Sequence, residues 1–213
     1  MQKYLPKKTQ PKFTADPWAV REESRVYTFH CHDTISLRSN SFWWLKQGAV
    51  KTFTWSEAGT VTVLGYWGAG DIIGQALSSA EPYQIICLTD VEALCISQSF
   101  AGASCDRFKP AQHQWPILEA VYRSVQQTER LLCIMRTERM YQRLLKVLVW
   151  LAQKFGSPVK QGQLIELRLT HQELAELIGT TRVTVTRLLG QMEKEGLIVR
   201  PRSYCIVLSE QAE

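Results

Sequence analysis

No two cysteines in this sequence are spaced C-x-x-C. The six that occur, at positions 31, 87, 95, 105, 133 and 205, are scattered singly. That spacing supports neither a zinc site nor a disulfide framework, so reduced thiols in a cytoplasmic protein are expected. Histidine is scarce, with four residues in 213. His30 and His32 in "HCHD" could share one face of a strand, but a metal site there lacks a third ligand. No apolar run reaches the ~18 residues that span a membrane. The stretch from Met1 to Lys12 is polar and lysine-bearing, without the apolar core a secretion signal needs. Charge of one sign is not concentrated either. The net charge of +5 permits nucleic-acid binding without demonstrating it, and from Arg168 onward six basic residues are balanced by six acidic ones. Any nucleic-acid contact must therefore come from where charges sit, not from their sum.

What is present divides the chain in two. "FWWLKQGAVKTFTW" and "AGTVTVLGYWGAGDIIG" alternate apolar and polar positions between glycines, and "YQIICLTDVEALCIS" adds further β-rich sequence. Short strands at this spacing predict an antiparallel sandwich or barrel over residues 1–112. From Ile117 to Phe155 there is no Gly or Pro, and the apolar period becomes helical. Leu118, Val121, Val125, Leu132 and Met135, with Thr128 among them, alternate by three and four residues. That is the seam of a two-stranded coiled coil, and residues 113–155 are read as dimerisation and connecting helices. After Arg139 the apolar residues surround much of the helix, so it must be buried. "FGSPVKQGQ" then ends it, with Gly156 as the C-cap and Pro158 beyond.

Residues 156–213 carry the most specific pattern. Thr170, followed by Glu173 three residues on, forms a capping box at the start of "HQELAELI". Ala175 is small where two helices must cross, and Gly179 supplies the turn. Thr180 or Thr181 can cap a second helix, "RVTVTRLLGQMEKEG". Two short helices joined by a glycine turn make a helix-turn-helix, from about Leu169 to Gly196, able to dock its second helix in the major groove. The exposed start of that helix offers Arg182, Val183, Thr184, Thr186 and Arg187 with no acidic residue before Glu193. Arginine reads guanine bidentately, and an apolar side chain such as Val183 suits a thymine methyl. "LIVRPRSYCIVLS" reads as a two-stranded wing, with Arg200 and Arg202 available for phosphates.

The order of β-rich domain, long dimer helix and winged helix-turn-helix resembles the CRP/FNR family of bacterial regulators along nearly the whole chain. "TTRVTVTRLL" and "QTERLL" look most like the global nitrogen regulators of cyanobacteria within it. The resemblance implies an α+β fold: an N-terminal antiparallel β-roll acting as a cupin-like sensor domain, a dimerisation helix and a C-terminal winged helix. It implies a homodimeric, non-enzymatic, cytoplasmic transcription regulator that binds double-stranded DNA and contacts RNA polymerase. Arg182, Val183, Thr186 and Arg187 would read bases; Thr170, Gln172, Thr181, Thr184 and Arg202 would hold phosphates. An effector would sit against Gly74, Gln75, Tyr83, Gln84, Thr128 and Glu129. Two competing expectations remain: a cupin-like metal enzyme, which needs a histidine cluster that four scattered histidines do not supply, and an effector-binding protein whose accessory helical domain makes protein contacts.

The family's ligand chemistry is altered here. Cyclic-nucleotide-binding members use Gly-Glu and then Arg-Ser to hold ribose and phosphate. In this chain Gly74 is followed by Gln75, the second segment reads "AEPYQII", and no arginine lies between Lys51 and Asp106. A cyclic phosphate would be buried without a cation, which argues against cyclic AMP. Glu129 matches a 2-oxoglutarate-site residue of the nitrogen regulators, but Ser124 stands where their helix arginine clamps the dicarboxylate. Iron–sulfur sensing needs several cysteines near the N-terminus, and only Cys31 is there.

Overall fold

The computed structural model describes residues 26–37, 41–97, 115–202, 204–209 and 211. The lysine-bearing start, Cys105, His113 and the expected domain boundary at 112/113 lie outside these residues. Among the described residues, seven strands build the first half: β1 (Val26–Phe29), β2 (Ser41–Gln47), β3 (Val50–Trp55), β4 (Val61–Trp67), β5 (Ile72–Ile73), β6 (Gln84–Cys87) and β7 (Val91–Ser97). They form two antiparallel sheets, ordered β1-β7-β2-β5 and β4-β3-β6. Alternation puts Trp43 and Leu45 of β2 inward, where they meet Val50, Trp67, Tyr83 and Ile85 in one apolar cluster. Trp43 is 2% exposed, and the rings of Tyr27 and Phe29 meet it edge-on at 5.3 and 5.5 Å. The "HCHD" residues are not a strand. They form a turn in which His32 takes φ 74°, the His30 backbone amide donates to Asp33 and the His30 ring faces Asp90 at 3.7 Å. A turn separates the two imidazoles that a strand face would align, and among the described residues no His, Cys, Asp or Glu group of three could hold a metal.

Helix α1 (Trp115–Met135) and helix α2 (Met140–Phe155) follow. They are separate despite the absence of Gly and Pro. At the break Arg143 uses its guanidinium to satisfy carbonyls: Nε and one terminal nitrogen donate to Thr137 O at 3.1 and 2.8 Å, and the other donates to Ile178 O at 3.0 Å. Helix α2 buries Leu144, Val147, Leu148, Trp150, Leu151 and Ala152, as its all-round apolar pattern requires. Helix α1 turns Ala120, Leu131 and Ile134 inward. Leu118, Val125 and Leu132, one heptad apart, are 60%, 60% and 62% exposed, and Tyr122 joins them at 60%. Of the other expected seam residues, Val121 is half-buried and Met135 packs on the core of the helical half.

The segment expected only to end α2 is strand instead. β8 (Gly156–Val159) pairs with β9 (Gly162–Ile165), and the wing strands β10 (Ile198–Arg202) and β11 (Cys205–Leu208) extend them into a sheet ordered β10-β11-β9-β8. Gly156 is accordingly extended, with φ −93° and ψ 145°, not left-handed. Glycine is needed there for space: a Cβ would lie 2.1 Å from the Ala152 carbonyl oxygen. No helix among the described residues is long and apolar enough to cross a membrane.

Candidate nucleic-acid interface and effector domain

Helices α3 (His171–Ile178) and α4 (Arg182–Lys194) carry the expected motif. Thr170 closes a complete capping box: its hydroxyl accepts from the Glu173 amide, and the Glu173 carboxylate accepts from the Thr170 amide at 2.8 Å. Gly179 ends α3 in the left-handed conformation, φ 70° and ψ 50°, which glycine adopts without steric cost. Of the two candidate caps for α4, Thr181 serves, accepting from the Thr184 amide at 3.2 Å. Ala175 is buried at the crossing, and Val185, Leu188, Leu189 and Met192 form the inner face of α4.

The outer face is left to solvent. Arg182, Thr186 and Arg187 are exposed, and Val183 is 78% exposed. An apolar side chain that open near a helix N-terminus has no packing role in this chain. Among the described residues no ion pair engages the guanidinium groups of Arg182 or Arg187. The expected phosphate residues are partly committed to one another. The Thr181 and Thr184 hydroxyls lie 2.9 Å apart, the Thr170 hydroxyl donates to Glu173 and the Gln172 amide donates to Glu176. On the wing Arg202 is exposed, whereas Arg200 is paired with Glu193 at 2.6 Å. That hydrogen bond holds the Glu193 carboxyl below its ordinary range. His171, isolated in sequence, is not isolated in space: its Nδ1 lies 2.8 Å from the Thr186 hydroxyl. Partial burial, then Arg200 and Arg182, hold its imidazole below the usual pKa.

The expected effector residues are brought together only in part. Tyr83 is buried inside the roll, where the Gly74 backbone and the Thr52 hydroxyl act to lower its phenol pKa. Burial outweighs both and pushes the phenol up to about 12. The Trp67 indole donates to the same Thr52 hydroxyl at 2.8 Å. Gln75 and Gln84 are half-buried at the edge. Thr128 and Glu129 lie on the exposed side of α1, and the Thr128 hydroxyl donates back to Ser124 O at 2.9 Å. Another α1 residue, Gln127, bonds to the roll: its side chain donates to Tyr66 O at 2.6 Å.

Two joints between the halves escape sequence reasoning because their members are far apart along the chain. Lys51, 8% exposed on β3, faces Glu173 at 3.7 Å and Glu176 at 3.8 Å on α3. Lys154 of α2 pairs with buried Asp71 at 2.6 Å, also donates to Gln127, and lies 5.5 and 5.6 Å from the ring centres of Trp67 and Phe155. Burial lowers the Lys154 pKa against the pull of Asp71. A lysine on a strand that ought to point at solvent is the one signal that could have exposed the first joint.

Comparison with known proteins places these features. Residues 37–105 match the cyclic nucleotide-binding domain family, and residues 142–212 match the Crp-like helix-turn-helix domain family. Regulatory protein CysR of Synechococcus elongatus is 42% identical over 172 residues, covering 79% of this chain and 77% of that one. A global nitrogen regulator of a Nostoc species is 31% identical over 186 residues, covering 81% and 80%. Among solved structures, a CRP-family transcriptional regulator of Thermus thermophilus superposes with TM-score 0.71 at 20% identity, covering 87% of this chain and 93% of that one. A cyclic nucleotide-binding-domain protein of Listeria monocytogenes gives 0.75 at 15% identity, covering 89% and 91%.

Proposed function

The chain belongs to the CRP/FNR family of transcription regulators, and from that premise we propose that it binds a palindromic DNA operator as a homodimer. The observation that carries the reading is the start of α4, where Arg182 and Arg187 stand exposed around a 78% exposed Val183. A guanidinium fork matches guanine O6 and N7, and a valine methyl matches thymine. The wing's Arg202 adds a phosphate contact, and the exposed heptad of Leu118, Val125 and Leu132 supplies the dimer seam. Many family members carry Glu where Val183 stands. Without a carboxylate to accept from cytosine, the half-site is of the GTA/TAC type.

The signal this dimer receives is not cyclic AMP. No arginine lies between Lys51 and Asp106 to meet the phosphate, and the Trp67 indole donates to the Thr52 hydroxyl beside the buried Tyr83. A small effector has Gln75, Gln84, Thr128 and Glu129 to engage. Thr128 lies beside the seam, so a ligand reaching it touches both protomers and biases the spacing of the recognition helices.

Selection from random-sequence DNA tests the core of this reading. The expected product is a palindrome whose half-site centres lie about one helical turn, ~34 Å, apart. Recovery of a strong single non-palindromic site would overturn it.

A further inference from the structure

Thr186 reads, on a simple reading of its chemistry, as a hydrogen-bonding residue. Its surroundings say otherwise. The Thr186 hydroxyl donates its one proton to the Arg182 carbonyl oxygen at 2.9 Å, one turn back along α4. With that proton committed, the 2.8 Å contact with His171 Nδ1 must have the imidazole as donor, so His171 carries its proton on Nδ1. The hydroxyl is thus held on two sides, by its own helix and by the first residue of α3. The side chain is otherwise exposed, and with the hydroxyl engaged on both sides its methyl is the group with no hydrogen-bonding role.

We propose that Thr186 reads DNA as an apolar residue, offering its methyl group to a thymine 5-methyl, and that His171 is the positioning residue that fixes this orientation. The inference rests on the reading of α4 as the recognition helix. Val183 and Thr186 are three residues apart and so are neighbours on one helix face. Both are exposed, as are Arg182 and Arg187 beside them. Specificity then comes from two guanidinium contacts and at least two thymine methyls in each half-site, and no threonine hydroxyl takes part in base reading. Two helices share the work: α4 carries the reading groups, and α3 sets the rotamer of one of them.

Methyl deletion in the DNA isolates the contact. Each thymine of the selected operator is replaced in turn by deoxyuridine, and affinity is measured by fluorescence anisotropy with the full chain. The wild type is expected to lose about threefold to fivefold at the thymine facing Thr186, the scale of burying one methyl group. Thr186→Val should bind within about twofold of wild type and keep that sensitivity. Thr186→Ser, which keeps the hydroxyl and lacks the methyl, should bind thymine and deoxyuridine there equally. Val183→Ala should erase sensitivity at a different thymine. His171→Ala, folded by its melting curve, should reduce the thymine-to-deoxyuridine ratio at the Thr186 position. A merely structural role for His171 would not move that ratio. The inference is overturned if Thr186→Val loses tenfold while Thr186→Ser binds normally, or if Thr186→Ser keeps the full methyl discrimination. Failure to select any operator would overturn both this inference and the DNA-binding reading.

Discussion

The β-roll and the winged helix-turn-helix keep the family's architecture to a similar degree but keep its chemistry to different degrees. In the roll, Tyr83 and Trp67 turn inward and join the apolar cluster around Trp43, and the Trp67 indole donates to the buried Thr52 hydroxyl. In the helix-turn-helix the inner face packs tightly while the outer face stays open, with Arg182, Arg187 and Val183 left to solvent. A shared fold does not by itself specify a ligand. The polar groups left unused by packing are the better guide to where a partner binds.

The comparison can be broken from either side. The largest effect is expected from Trp43→Ala. If the roll is a filled core, this change should cost about 3–5 kcal/mol of stability, measured by denaturant unfolding. A loss below about 1 kcal/mol would mean that the roll holds a collapsible cavity after all. Next come Arg182→Ala and Arg187→Ala. Each should weaken operator binding by ~1–3 kcal/mol and relax preference at one base pair, with an unchanged melting temperature because neither side chain is packed. If relative affinity for the selected and a scrambled site stays the same, neither arginine reads bases. The smallest effect concerns cyclic AMP. A ligand shifts an equilibrium only by its differential affinity for the two states, so micromolar cyclic AMP should leave operator affinity unchanged in a gel-shift titration. A several-fold tightening would restore the nucleotide pocket that Gln75 and the missing arginine argue against.

The helix-turn-helix was legible because its signals are local. The Thr170–Glu173 box, the Gly179 turn and the small Ala175 lie within ten residues and need no tertiary information. The roll was legible as strands for the same reason, from period-two alternation and turn glycines. Features that depend on distant partners were not. Lys51 and Glu173 are neighbours only because α3 packs against β4, within reach of the Lys51 side chain on adjacent β3. His171 seemed solitary because Thr186 is on the next helix. The break at 136–139 carries no Gly or Pro to announce it, since it is stabilised by the Arg143 guanidinium acting from beyond the break. Gly156 caps α2, as its place after the helix suggests, but in an extended conformation. Here close approach to Ala152, not backbone handedness, demands glycine. The rotation of the seam, with Tyr122 exposed and Val121 half-buried, reflects how α1 lies against the roll, which heptad spacing does not encode.

The Arg143 tie has a consequence for how this protein tolerates sequence drift. Its acceptors, Thr137 O and Ile178 O, are main-chain carbonyls. Every amino acid provides that atom, so substitutions at 137 and 178 that preserve the local backbone leave the connection intact. Position 143 enjoys no such freedom, because only arginine presents several donors in a fixed planar fork. The connection between the end of α1 and α3 is thus stored at one codon, while the surfaces on either side are free to diverge.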